Sequence, residues 1–459
     1  MAEDKLTFSL SNSGDRRRIF GVLAAFLISF ATILVLGGEV QQRQPEFSPI
    51  DELQHVDSTY KAGYGRLFLP TDERITAEVL RLQTCRGIRA ELVMPSCDAL
   101  DLRPEQFQEL GYNTAAGRPS IYYAVTGVLA RGLLKVFPDW DYLDAARMAN
   151  LFGLAFGCAL LSAFTVIVSR SAIIGTGLGL IVGLSPPVMA MGSMVNPDSW
   201  SILAGTLVLW IVISGKQLAL KYYLPLLILT LSLLVLVKPN FAALTVIPVV
   251  FALLRYPKRA AELTLLRRLR MALPEFVAAA VVATAYLVVT VLPAKAGSSE
   301  PSPIPMNNYL AISETNPWDL MSALGAVISG LNPFLTDLSI APVLGVTQMA
   351  SIVTPISLVL FAGVGAGLLM APRGSVWLAS AWSFVAVSTV SALIVLVGQL
   401  ALHQSFPVPT RYGLLAIPAA AVAIAAMGSV RNWFVATFAA LVIAMYLLAF
   451  SEFNFIVAS

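Results

Sequence analysis

The feature that most constrains this chain is a succession of long apolar runs, almost free of charge, separated by short polar connections. About 18–20 apolar residues in a row suffice to cross a bilayer as a helix. Hydrocarbon offers the backbone no hydrogen-bond partners, so such segments must satisfy their own N–H and C=O groups, and among runs of this length the helix does so. The expected fold is therefore an all-α polytopic membrane bundle. Of 459 residues, 57% are hydrophobic and 12% charged, against roughly 25% charged in a soluble domain. A cytosolic enzyme, a disordered protein and a nucleic-acid binder are excluded on that ground. Three cysteines and two histidines leave little material for a structural metal site or a disulfide scaffold.

Eleven spans are predicted. The first is Phe20–Leu36, behind Arg16, Arg17 and Arg18; it has the wrong C-terminal flank for a cleaved signal peptide. The others are Ala145–Val168, Ala172–Val195, Ser199–Ser214, Tyr223–Val237, Phe241–Leu254, Pro274–Pro293, Gln348–Met370, Val376–Leu402, Tyr412–Met427 and Trp433–Phe450. A first outer loop, 37–144, contains the polar stretch Gly37–Arg118, which holds 13 of the 27 acidic residues. Within it Asp72–Arg89 and Arg103–Leu110 read as surface helices. Ser120–Phe137 carries Arg131 and Lys135 at helical spacing and reads as an interfacial amphipathic helix. A second outer loop, 294–346, has an amphipathic piece at Pro317–Leu331. The whole chain reads as a single membrane domain, 1–459.

This arrangement places fifteen Lys and Arg residues inside, six of them within Arg255–Arg270, and only Lys238 and Arg411 in short outer connections. That bias sets a cytoplasmic N-terminus. Counting Ser120–Phe137 as a span would put the Arg255–Arg270 cluster on the wrong side.

Span interiors lack Asp, Glu, Lys and His, which argues against an ion-coupled transporter, whose ionisable groups sit near the midplane. Polar chemistry gathers instead at the outer face. Asp51 and Glu52 begin a segment in which His55 falls one turn after Asp51, so a helix puts those two on one face. A carboxylate there suits general-base work; an acidic surface turn with a helix cap explains the same residues. Asn196-Pro197-Asp198 reads as a turn capping the next span, a role compatible with a place in a site. Lys238-Pro239-Asn240, Thr410-Arg411-Tyr412 and His403 place cations where a lipid-linked phosphate would lie; snorkelling to headgroups is the alternative. Cys85 and Cys97 are twelve apart in the first loop and suit a disulfide on an oxidising side; Cys158 is a packing residue. Walker A, HExxH and GxSxG patterns are absent from the sequence, so ATP hydrolysis, zinc proteolysis and α/β-hydrolase chemistry have no support.

Taken in order, these elements resemble the GT-C superfamily of membrane glycosyltransferases, closest to a branch of largely uncharacterised bacterial membrane proteins. Asp51-Glu52 with His55 resembles its acidic first-loop motif. Gly117-Arg118-Pro119-Ser120-Ile121-Tyr122-Tyr123 resembles its His-Pro-Pro-Leu-Tyr-Tyr element, with Arg118 or Gly117 in the histidine's place. Arg147-Met148-Ala149-Asn150 resembles its Arg-Leu-x-Asn span opening. Asn196-Pro197-Asp198 and Lys238-Pro239-Asn240 resemble its Asn-x-Asp and Thr-Lys-Pro turns, with Val237 for threonine, and Arg411-Tyr412 its late Arg-Tyr.

The resemblance implies a GT-C-like bundle that transfers a sugar, with inversion, from a polyprenyl-monophosphate donor to an extracytoplasmic cell-envelope glycan or lipid acceptor. The expected place is a bacterial inner membrane, with the site facing the periplasm or cell wall. Asp51 would be the base, with Glu52 and His55 beside it. Lys238, Arg411 and Tyr412 would hold the donor phosphate. Arg118, Tyr122, Tyr123, Asn196, Asp198, Asn240 and His403 would bind substrate, and a divalent cation, Mg or Mn, is one option at the site. Membrane lipids are the other expected partners, nucleic acid is not. A lipid-linked glycan ligase or polymerase, and a non-enzymatic lipid or glycan transporter, are the rival readings.

Overall fold

The computed structural model describes residues 13–70, 72–89, 93–116, 121–215, 218–254, 272–286, 310–311, 361–402, 404–405 and 410–427. The described chain is helical apart from single bridges and a two-residue antiparallel pairing of Leu310–Ala311 with Gln404–Ser405. Its helices are α1 (Ser13–Gln42), α2 (Glu52–Gly63), α3 (Ala77–Arg86), α4 (Ile121–Val136), α5 (Tyr142–Ser169), α6 (Ala172–Gly183) and α7 (Pro186–Ser193). They continue with α8 (Ser201–Ser214), α9 (Leu220–Val237), α10 (Val246–Leu254) and α11 (Leu273–Tyr286). The last are α12 (Phe361–Met370), α13 (Val376–Leu402) and α14 (Ile417–Ala425).

Five helical stretches are long and apolar enough to cross a membrane: Arg16–Gln42, Tyr142–Ser169, Pro197–Ser214, Leu220–Val237 and Val376–Ile394. A sixth arises if the bent pair α6 and α7 counts as one span. Four shorter apolar helices, Pro239–Leu254, Leu273–Ala285, Phe361–Met370 and Arg411–Ala425, fall in four further predicted spans. The span Trp433–Phe450, the cluster Arg255–Arg270 and most of the second outer loop, including Pro317–Leu331, lie outside the described residues.

Helix α5 is the axis of the bundle, packed against α1, α4, α6 and α8. Small residues let these helices approach. A Cβ built on Gly179 of α6 would lie 1.7 Å from Ser162 Oγ of α5, and one on Gly157 of α5 would lie 2.7 Å from the Leu203 backbone of α8. Such close backbones are how apolar helices gain packing contacts where burial from water is not the driving force. Ser29 of α1 and Ser162 share a buried hydrogen bond of 2.7 Å, and Phe26 meets Phe156 edge-on. The opposite side of α1 exposes Phe20, Leu23, Leu27 and Ile28, as a span facing lipid does.

Three features differ from the sequence expectation. The run Ala172–Val195 is not one straight span: α6 and the following helix meet at 65°. Pro186 and Pro187 cannot continue α6, and the residue before them is pushed to extended backbone, as Ser185 is at φ −62, ψ 137. Arg103–Leu110 is not an α-helix but a pair of 3₁₀ turns, Pro104–Gln106 and Gln108–Gly111, with Pro104 opening the first. In Asp72–Arg89 the helix is confined to Ala77–Arg86.

The first loop has a polar core of its own. Buried Lys61 pairs with Asp57 at 2.7 Å and with Glu73 at 2.8 Å. Asp57 also accepts from the Thr76 backbone at 2.9 Å and from Asn113 at 2.6 Å. Cys85 and Cys97 are joined in a disulfide. Closing a loop of that length is worth about 3 kcal/mol on the chain-entropy account. α4 docks this loop on the bundle. At 16 residues it buries Tyr122, Tyr123, Thr126, Gly127 and Ala130 and exposes Val128, Leu129 and Val136. Its Arg131 does not point away from the protein but donates to Gly63 O at the end of α2, at 2.6 Å.

α2 and α4 cross at glycines: a Cβ at Gly127 would sit 2.3 Å from Thr59 O and 2.7 Å from Gly63 N. Backbone cannot retreat as a flexible side chain can. Gly127→Val is expected to lower stability by about 1–3 kcal/mol, the usual range for overpacking, read as a lower unfolding midpoint in detergent; an unchanged midpoint would refute this docking.

Candidate functional site

Three Xaa-Pro steps interrupt the helices. Proline is preorganised for the first position of a helical turn and forces its predecessor to extended backbone. At Ser185-Pro186 this breaks a span. At Asn196-Pro197 and Lys238-Pro239 it turns the chain between spans, with Asn196 at φ −155, ψ 131 and Lys238 at φ −154, ψ 128. Each proline then opens a 3₁₀ turn, Pro197–Trp200 and Pro239–Thr245. A further 3₁₀ turn, Thr410–Ala416, leads from the end of α13 into α14 and carries Arg411 and Tyr412. Asp51 stands at the start of α2.

These pieces bring four charges into one row. Asp198 accepts from Lys238 Nζ through Oδ1. Its Oδ2 lies 3.2 Å from Arg411 Nε, and Arg411 Nη2 reaches Asp51 Oδ2 at 3.3 Å. The Tyr412 ring lies beside both cations, its centroid 4.6 Å from Lys238 Nζ and 5.8 Å from Arg411 Cζ. The row runs from inside to outside: the Asp198 side chain is 3% exposed and that of Asp51 is 53% exposed. Asn196 fixes the buried end, its Oδ1 accepting from the Asp198 N–H at 2.9 Å.

His55, one turn into α2, stands next to this row. Its Nδ1 and the Tyr123 hydroxyl are 2.7 Å apart, the tautomer setting which one donates. Burial lowers its pKa to about 3, helped by the positive charges of Lys238 and Arg411 and opposed by Asp198. The ring is therefore neutral at pH 7 and supplies one donor and one acceptor.

The adjacent carboxylate, Glu52, is turned the other way. It is fully buried and meets Arg147 of α5 through two contacts, Nε to Oε1 at 2.8 Å and Nη2 to Oε2 at 2.7 Å. It also accepts the backbone N–H of Ser48 at 2.6 Å and of Val195 at 2.9 Å. Arg147 also donates to the carbonyls of Gln44 and Glu46. One turn further along α5, buried Asn150 donates to Met191 O, Gly192 O and Met194 O at 2.7–3.1 Å. These are carbonyls that the end of α7 leaves without helical partners. Asn150 Oδ1 in turn accepts from Tyr122 at 2.7 Å and Ser199 at 2.6 Å.

Of the residues named from sequence, the fold thus gathers Asp51, Asp198, Lys238, Arg411 and Tyr412, with His55, Tyr123 and Asn196 around them. It sends Glu52 and Tyr122 into the supporting frame. Asn240 sits, half-buried, two residues beyond Lys238 in its turn. Arg118 and His403 lie outside the described residues. Arg147 and Asn150 carry the frame and were singled out in sequence only as a motif. The available signal was a cation and an amide just inside an otherwise apolar span. Among the described residues no group of three or more His, Cys, Asp and Glu could hold a metal. Each oxygen of Asp198 already faces a cation, so a divalent ion would have to displace Lys238 or Arg411 to reach it.

Comparison with protein-family models, with curated proteins and with solved structures finds no match for this chain.

Two outcomes follow from this geometry. Arg147→Met strands the Glu52 carboxylate and should cost about 3–5 kcal/mol, the usual penalty for an uncompensated buried charge. Glu52→Gln/Arg147→Met, which removes both charges, should recover most of it in a denaturation series; a double variant as unstable as the single one would show that the pair is not the cause. The second concerns pH. The His55 pKa is depressed on folding, from 6.5 to about 3, so between those values the unfolded chain holds the extra proton. Its contribution is fully present above pH 6.5 and is lost as pH falls toward 3. Unfolding midpoints measured from pH 7 to pH 4 should therefore fall less steeply in His55→Gln than in wild type; parallel curves would contradict a buried neutral ring.

Proposed function

We propose that this protein is a membrane glycosyltransferase, transferring a sugar from a polyprenyl-monophosphate donor to a cell-envelope glycan or lipid acceptor on the extracytoplasmic side of a bacterial inner membrane. The observation that carries the reading is the row Asp51, Arg411, Asp198, Lys238. Residues up to 360 positions apart in the chain converge as alternating acids and bases at one end of an apolar bundle. The order of motifs resembling the GT-C superfamily supports it further. A single charge exchange of this kind has little use in a purely structural turn, whereas it supplies both partners that glycosyl transfer needs.

In this mechanism the acceptor hydroxyl attacks the anomeric carbon from the face opposite the phosphate. A new C–O bond forms, the bond from carbon to phosphate oxygen breaks, and the leaving phosphate keeps the electron pair. The acceptor proton passes to a carboxylate of Asp51, the half-exposed end of the row. Negative charge grows on the leaving phosphate, where Lys238 as a point charge and Arg411 as a two-pronged donor stabilise it. Attack opposite the leaving group inverts the sugar. Asp198 keeps both cations in place from below, and Tyr412 packs alongside them. Neutral His55, held by Tyr123, offers hydrogen bonds to a sugar without adding charge. The mechanism is written without a divalent cation because the carboxylates already serve the two basic side chains. Glu52 acts through the frame, by holding Asp51 and the Val195–Asp198 turn.

The test is turnover of a panel of synthetic polyprenyl-monophosphate and polyprenyl-pyrophosphate sugars by purified wild type and Asp51→Asn. Wild type should release polyprenyl phosphate from a monophosphate donor, and Asp51→Asn should be at least 10²-fold slower. Equal rates would remove Asp51 as base. Turnover of pyrophosphate donors alone would favour a glycan ligase or polymerase. No release from any donor by folded protein, with bacterial envelope lipid and glycan extract supplied as acceptor, would overturn the transferase reading in favour of transport.

A further inference from the structure

Asp51 makes an unusual choice for a residue preceding a helix. An aspartate in that place ordinarily turns its carboxylate onto the first-turn amides. Asp51 makes no such bond, and its backbone is left-handed at φ 55, ψ 10. Non-glycine residues adopt that region rarely. The carboxylate reaches instead toward Arg411, whose guanidinium lies between Asp51 and Asp198. The two contacts are unequal. Asp198 is almost fully buried and is shared with Lys238, while the Asp51 side chain is half in solvent. An exposed ion pair is weak and readily screened. Among the described residues Lys238 and Arg411 bring two positive charges and Asp198 one negative charge. One positive charge remains, and Asp51 balances it.

We propose that Asp51 holds the place of the donor phosphate in the empty site, and that a singly charged phosphodiester displaces it from Arg411. This rests on the polyprenyl-phosphate reading above and adds an order to it. While Arg411 Nη2 occupies Asp51 Oδ2, that oxygen is engaged and not open to an acceptor hydroxyl. Arrival of the donor moves Arg411's outer N–H groups from carboxylate to phosphate, puts one negative charge against Arg411 in place of another, and leaves Asp51 ionised and free to take a proton. The base is thus available only when a leaving group is already clamped, so the donor binds before the acceptor reacts. A sugar phosphodiester carries the one negative charge that this exchange needs; a pyrophosphate diester carries two and leaves the site negative.

The experiment is a binding titration in detergent, following calorimetric heat. Its probe is farnesyl methyl phosphate, a singly charged diester without a sugar, with the doubly charged diester P1-farnesyl P2-methyl diphosphate run in parallel. Removing the competing charge should make Asp51→Asn bind the diester tighter than wild type, by about fivefold for an exposed ion pair. Arg411→Ala should bind it at least tenfold more weakly than wild type. Both variants are checked for wild-type elution and unfolding midpoint, and Asp51→Ser is a second version should the asparagine variant fold poorly. Unchanged or weaker binding by Asp51→Asn, with wild type binding well, overturns the exchange while leaving the phosphate site intact. Preference of wild type for the diphosphate overturns the charge-matching part. Absence of binding to wild type and both variants overturns the polyprenyl-phosphate reading together with the exchange.

Discussion

The buried pair of Glu52 and Arg147 is the contact on which the rest of the site depends. Burying either charge alone costs several kcal/mol, and the pair is tolerable because nearly every donor and acceptor is used. Glu52 ties the backbone of Ser48 and Val195 to α5, while Arg147 adds the carbonyls of Gln44 and Glu46. Segments from the end of α1, the start of α2 and the turn after α7 are therefore fixed to one point on the central helix. Asp51 precedes Glu52 by one residue and Asp198 follows Val195 by three. The backbone that carries Asp51 and the backbone that carries Asp198 are thus both tied to Glu52.

A second constraint is the interrupted backbone. Helices solve the hydrogen-bond problem of an apolar environment, and every break reopens it. Two of the breaks, at Asn196-Pro197 and Lys238-Pro239, carry the charged row, and the frame next to them supplies replacements: Asn150 for the carbonyls at the end of α7, Asn196 for the Asp198 amide. Breaking helices is also what makes a site possible. A continuous helix presents side chains sideways, to lipid or to its neighbours. A pre-proline residue on extended backbone projects from the end of one helix toward the start of the next, which is where Lys238 stands.

How much of this is legible in the sequence depends on the range of the interaction. Apolar length marks Tyr142–Ser169, Leu220–Val237 and Val376–Ile394 because a span is a local property of some twenty residues. Charges set against the positive-inside trend mark Lys238 and Arg411, and Asp51 and Asp198 follow from the motifs around them. The division of labour between Asp51 and Glu52 is not legible. They are adjacent acids, and which one faces the opening depends on a left-handed backbone at Asp51 and on Arg147 nearly a hundred positions away. The bend after Gly183 was signalled by Ser185-Pro186-Pro187 but overridden in the reading by the apolar residues on both sides. At Arg103–Leu110 helical spacing was outweighed by Pro104 and by positive φ at Glu109 and Leu110.

The row of four charges also bears on the neutrality of His55. Burial disfavours the charged ring first, and the fields of Lys238 and Arg411 add to it against the opposing pull of Asp198. Asp198, shared between Lys238 and Arg411, is the buried end of the row, and Asp51 against Arg411 is its exposed end.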